Sequence, residues 1–67
     1  MKHFTAEELY EIALDEYQKA GFNIGQDKKM GITQWAYWSA ERDDFHTEEE
    51  ARAELRGFLE EEKAMMD

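Results

Sequence analysis

Two stretches of the chain repeat their apolar residues with the period of an α-helix. In FTAEELYEIALDEYQKAG, residues 4–21, the positions Ala6, Leu9, Tyr10, Ile12, Ala13, Leu14, Tyr17 and Ala20 fill about half of the helical circumference at about 100° per residue. An apolar arc that wide needs more than one neighbouring element to cover it. The ends of this helix are also legible. Thr5 is placed to cap it, Glu8 three residues later completes a capping box, Phe4 can staple onto Leu9, and Gly21 is suited to end it. The last helix begins the same way, in FHTEEEARAELRGFLEEEKAMMD, residues 45–67. Thr47 is the cap and Glu50 its reciprocal partner, with Ala51, Leu55, Phe58, Leu59, Met65 and Met66 on one face. Gly57 costs about 1 kcal/mol inside a helix relative to alanine, but the spacing continues across it, so the helix is read through.

The middle of the chain obeys neither period cleanly. Gly25, Gly31 and the polar run GQDKKMG read as a loop over residues 22–31, and ITQWAYWSA, residues 32–40, is rich in β-branched and aromatic side chains. That composition predicts a strand, with Trp35 and Tyr37 on one side and Ile32, Ala36 and Trp38 on the other. ERDD then reads as a turn, with Phe45 and His46 pairing back before the Thr47 cap. The fold expected is α+β, an α-β-β-α order with two amphipathic helices packed on a small antiparallel hairpin or sheet. The alternative is a three-helix bundle with a helix over 33–43 that turns Ile32, Trp35, Ala36 and Ala40 inward. Because two helices cover only one face of such a ribbon, either at least one of Trp35, Tyr37 and Trp38 is expected to stay available to another chain, or the loop of residues 22–31 folds over the second face.

Length and charge narrow the function. The 67 residues make one domain, 1–67, near the lower limit for a fold held by an apolar core alone, and with no cysteine there is neither a disulfide nor a thiolate zinc cluster. No stretch approaches the roughly 18 uncharged apolar residues of a membrane span, so a soluble, cytoplasmic protein is expected, with no membrane partner. Seventeen acids against eight bases give a net charge of −9, while 42% hydrophobic content argues for a folded chain. A field of that sign repels nucleic acid, anionic lipid and nucleotides and attracts basic surfaces, so direct DNA or RNA binding is not expected.

Catalytic chemistry finds little purchase. His3 and His46 stand 43 positions apart and neither belongs to a metal-ligand spacing such as HExxH. Asp43, Asp44 and His46 gather at the turn, but a solvated turn accounts for them. GQDKKMG lacks the Lys-Ser/Thr of a phosphate loop, and the lone serine, Ser39, has no triad partners at a suggestive spacing. No enzyme activity, metal or cofactor is expected.

The carboxylates carry more information. Glu7, Glu11 and Asp15 form an i, i+4, i+8 row whose members repel by a few tenths of a kcal/mol each, and Glu50, Glu54 and Glu61 line one flank of the last helix. Glu60, Glu61 and Glu62 sit at the carboxyl end, where the helix dipole disfavours them. Such charge also keeps a small protein soluble. Spaced about 5–6 Å apart on rigid helices, however, carboxylates imitate a line of phosphates. Glu7, Glu11, Asp15, Glu50, Glu54 and Glu61, with Trp35, Tyr37 and Trp38 as anchors, are therefore the candidate partner-binding residues. The partner expected is a basic, nucleic-acid-binding protein. In size and charge the chain is similar to small acidic αβ proteins with which phages block host restriction or CRISPR machinery. That resemblance implies an inhibitor of a host defence complex, and it carries no site residue across. The competing reading is a homodimer or other homo-oligomeric structural or adaptor domain, in which a second copy buries the wide arc of the first helix together with Met65, Met66 and the open sheet face.

Overall fold

The computed structural model describes residues 2–65. They form three helices, α1 over Ala6–Lys19, α2 over Gln26–Arg42 and α3 over Glu48–Met65, and there is no strand among the described residues.

Both outer helices start where their capping boxes predict. At α1 the Glu8 N–H donates to Thr5 Oγ1 at 3.1 Å while the Thr5 N–H donates to Glu8 Oε1 at 2.9 Å. At α3 the Glu50 N–H donates to Thr47 Oγ1 at 3.2 Å, and Glu50 Oε1 accepts from the N–H groups of Thr47 at 3.2 Å and His46 at 2.6 Å. Those two donors hold the Glu50 carboxyl below the usual carboxylate range. Helix α1 ends at Gly21, whose φ of +84° is free to glycine and strained for other residues. The turn it makes lets the Gly21 N–H reach the Gln18 carbonyl at 3.0 Å and the Phe22 N–H reach that of Tyr17 at 3.1 Å. The Phe22 ring meets Tyr17 edge-on, 5.9 Å between centroids, which is the apolar contact such an ending calls for. Gly57 lies inside α3 as expected.

The α+β expectation is wrong, and the error lies wholly in the middle. Residues 32–40 are not a strand, residues 26–31 are not a loop, and Phe45 and His46 do not pair as a strand. Instead α2 begins directly after Gly25 and runs through Gly31 to Arg42, as the three-helix alternative foresaw for its second half. Tertiary packing decides this. Ile32, Ala36 and Ala40 recur at four-residue intervals and are buried against the core, whereas a two-stranded ribbon would have left one apolar face bare. The helix formers Lys28, Lys29, Gln34, Glu41 and Arg42 support it locally. It closes at Asp43, in the left-handed region at φ 53° and ψ 47°. Phe45 then turns back into the core, its ring 5.7 Å from that of Trp35.

Helix α1 is the hub of the fold. Its wide arc is covered from two sides, by α2 and by α3, and the Cα atoms of α2 and α3 nowhere approach within 8 Å of each other among the described residues. Much of the arc is thus covered within the chain itself, with Ala6, Tyr10, Leu14 and Ala20 only partly buried, and there is no sheet face among the described residues. Alanines at the crossings, Ala13, Ala36 and Ala51, are at most 1% exposed and let the helix backbones come close, with Leu9, Ile12, Leu55 and Leu59 filling the space between. Met65 is exposed, and Met66 lies outside the described residues.

Polar side chains fasten α1 to α3. Glu16 is buried on the core side of α1, and Arg52 Nη1 of α3 donates to it at 2.5 Å. The same guanidinium holds Asp15 at 2.8 Å and, through Nε, Glu48 at 2.8 Å, so three carboxylates keep it firmly protonated. Arg56 Nε stands 3.5 Å from Glu16 and its Nη1 3.0 Å from Glu49.

Candidate functional site

The separation of α2 from α3 leaves a cleft between them, with α1 as its floor. Its volume is about 460 Å³, within the range of ligand and peptide-anchor sites. Tyr17 contributes the floor, Ile32 and Trp35 one wall, and Leu55 and Phe58 the other. All five project from rigid helices, so the cavity is preformed. Gly31 widens the mouth on the α2 side, since a Cβ there would meet no atom within 4 Å.

One polar strap crosses the cleft. Lys28 Nζ of α2 pairs with Glu62 Oε1 of α3 at 2.5 Å, and the Tyr17 hydroxyl donates to the same oxygen at 3.3 Å. The ammonium also lies 5.3 Å from the centre of the Tyr17 ring, within cation–π range. Burial, and secondarily the neighbouring Glu62 carboxylate, pushes the Tyr17 phenol above its ordinary pKa. The strap uses the only basic side chain lining the cleft, while Asp27 on the same rim has no ion-pair partner within 4 Å among the described residues.

The candidate residues distribute unevenly around this feature. Trp35 enters the cleft wall, half-buried. Tyr37 and Trp38, 56% and 53% exposed, stay on the outer face of α2 together with Met30. Glu54 and Glu61 stand four residues before and three after Phe58, on the exposed flank of α3 beside it, and neither lines the cleft. Glu50 belongs to the α3 cap. On α1, Glu7 and Glu11 are exposed and without ion-pair partners within 4 Å among the described residues, but Asp15 is claimed by basic neighbours. Arg52 at 2.8 Å and Lys19 at 3.1 Å capture it and hold its carboxyl below the usual range. The six acids therefore do not form one continuous line of charge.

Several cleft residues escaped the sequence reading. Lys28 and Gly31 were assigned to a loop, and Phe58 and Leu55 only to the apolar face of the last helix. The missing signal was the helical spacing of Lys28, Ile32 and Trp35, which puts all three on one flank once α2 is read as a helix. The two tryptophans separate accordingly. Trp35→Ala is expected to cost about 2 kcal/mol, roughly half of a full core deletion, and Trp38→Ala within about 0.5 kcal/mol, by urea denaturation. Equal losses would contradict this placement.

Among the described residues, no helix is long and apolar enough to cross a membrane. No family model matches the chain, and no match was found to a curated protein or to a solved structure.

Proposed function

We propose that this protein is an acidic protein-binding module whose α2–α3 cleft receives the apolar edge of a basic, amphipathic helix. The observation that carries this reading is the preformed apolar cleft, with Asp27 and Glu62 in its lining and the exposed Glu54 and Glu61 on the adjacent flank of α3, in a chain of net charge −9. A third helix wall missing between α2 and α3 is the vacancy that an incoming helix fills, and helix-in-groove docking uses apolar anchors at i, i+3, i+4 and i+7. Carboxylates on the rim steer such a partner in from a distance, and Trp35 and Phe58 govern how long it stays. A second copy of this chain brings the same negative rim, so charge favours a basic partner over self-association.

The partner class put forward is a basic, nucleic-acid-binding protein. Glu7, Glu11, Glu54 and Glu61, exposed and without an ion pair among the described residues, meet lysines and arginines that otherwise contact phosphate. Occupying that surface would make the module an inhibitor of the nucleic-acid complex, the use that phage proteins of similar size and charge make of theirs.

The test is a titration with a synthetic Leu/Lys amphipathic helix, followed by Trp35 fluorescence in a Trp38→Phe background. Saturable binding is expected, weakened steeply by added salt and by joint Glu54→Lys and Glu61→Lys substitution. Gly31→Leu should fill the mouth of the cleft and abolish the fluorescence change, without loss of stability, because leucine is the better helix former by close to 1 kcal/mol. Binding that persists undiminished in Gly31→Leu would place the peptide elsewhere and end the cleft proposal.

A further inference from the structure

A second cluster lies at the opposite corner of the molecule from the strap, where the segment before α1 meets the α2–α3 connection. His3 and His46, distant in sequence, have their ring centroids 4.5 Å apart with a tilt of 33°. Asp43 stands between the two segments. Its Oδ2 is 3.0 Å and its Oδ1 3.2 Å from His3 Nδ1, and Oδ1 also accepts from the His3 backbone N–H at 2.9 Å. One ligating atom from each of the three residues lies within 4.8 Å of the others.

We propose that His3, Asp43 and His46 form a binding site for a divalent transition metal ion, with zinc as the ion of choice. The geometry is close to what the ion requires. Two donors on a tetrahedral zinc, each about 2.0–2.1 Å from the metal, stand about 3.3 Å apart. The His3–Asp43 pair, at 3.0 Å, is already close to that separation, and the exposed His46 has a ligating atom within 4.8 Å of both.

Three features of the surroundings favour a ligand set over an ordinary solvated turn. Arg42, the neighbouring cation, is turned away onto Asp44, with Nε at 3.1 Å and Nη2 at 2.9 Å, so it does not neutralise Asp43. The left-handed backbone at Asp43 aims its carboxylate back across the turn toward the segment that carries His3. Glu50, fixed by its bonds to the His46 and Thr47 N–H groups, adds a second negative charge beside the imidazoles without being released from the cap. The donor chemistry selects the metal. Two imidazoles and one carboxylate suit zinc and its neighbours, whereas magnesium and calcium prefer an all-oxygen shell. Three protein ligands leave the fourth position to water. Because the ligands come from two segments far apart in the chain, a bound ion would fasten the residues before α1 to the α2–α3 corner, a role disulfides cannot play here.

Zinc chloride titrated into the untagged protein at neutral pH, read by calorimetry, should give one equivalent of saturable binding that excess magnesium does not displace. The ring nitrogens of His3 and His46 should shift together by NMR, and the melting temperature should rise with zinc. His3→Gln, Asp43→Asn and His46→Gln should each weaken binding by about tenfold or more. Metal-free melting of the two histidine variants is expected to match the parent, which separates a lost ligand from a lost fold. Displacement by magnesium, unshifted imidazole resonances, or undiminished affinity in the histidine variants would each overturn the site and assign the ion to the carboxylate surface.

Discussion

Replacing Arg52 with methionine is expected to lower stability by about 3 kcal/mol, although the new side chain is of similar length and apolar. Breaking a buried ion pair strands its partner, and the usual loss is about 3–5 kcal/mol. Glu16 is the partner stranded here, its side chain only 8% exposed. The lower end of the range applies because Arg56, at 3.5 Å, remains to share the charge. Urea denaturation at neutral pH measures the loss, and Glu16→Gln in the same background should recover much of it by removing the orphaned charge. The pH dependence supplies an independent sign. Arg52 and Lys19 depress the Asp15 carboxyl in the folded state, so the stabilisation from this group is complete above about pH 4 and disappears as pH falls through the depressed value. Without Arg52 that acid-side slope should flatten. An unchanged slope would mean that Asp15 owes its state to Lys19 alone.

Leu9→Ala should be at least as damaging, at about 3–5 kcal/mol, because Leu9 is 1% exposed on the helix that both others pack against. Total stability for 67 residues is on the order of 3–10 kcal/mol, so the variant should be largely unfolded near physiological temperature. Loss of the α-helical circular dichroism signal in a single step would confirm that α2 and α3 depend on α1 rather than on each other. A folded variant with only local loosening would contradict the hub arrangement. Met65→Ala, at an exposed position, serves as the control and should be neutral.

These two expectations show which parts of the design were legible early. The caps of α1 and α3 depend on side chains three residues apart, so Thr5 with Glu8 and Thr47 with Glu50 could be read directly. The Gly21 ending and the inward arc from Leu9 to Tyr17 are local in the same sense. Glu16 was invisible, because a glutamate on a helix reads as solvated until an arginine 36 residues away is brought onto it. The same holds for Asp15, whose place in a row of like charges dissolved once Arg52 and Lys19 claimed it. For the candidate sites, Trp35 was singled out as a strand residue and instead lines the cleft from a helix, while Lys28, Phe58 and Gly31 were passed over. His3 and His46 looked unrelated for want of any short-range spacing.

By itself the sequence determined two capped amphipathic helices, an acidic surface and a thin, cysteine-free core, since each of these follows from residue type and near-neighbour spacing. Only the tertiary structure decided that residues 26–42 are helical, that α2 and α3 stand apart over α1, and that His3 meets Asp43 and His46. The physical reason is common to all three. A segment whose local preferences nearly balance takes the conformation that buries Ile32, Ala36 and Ala40 against a neighbour, and that burial energy belongs to contacts between elements rather than to any stretch of chain.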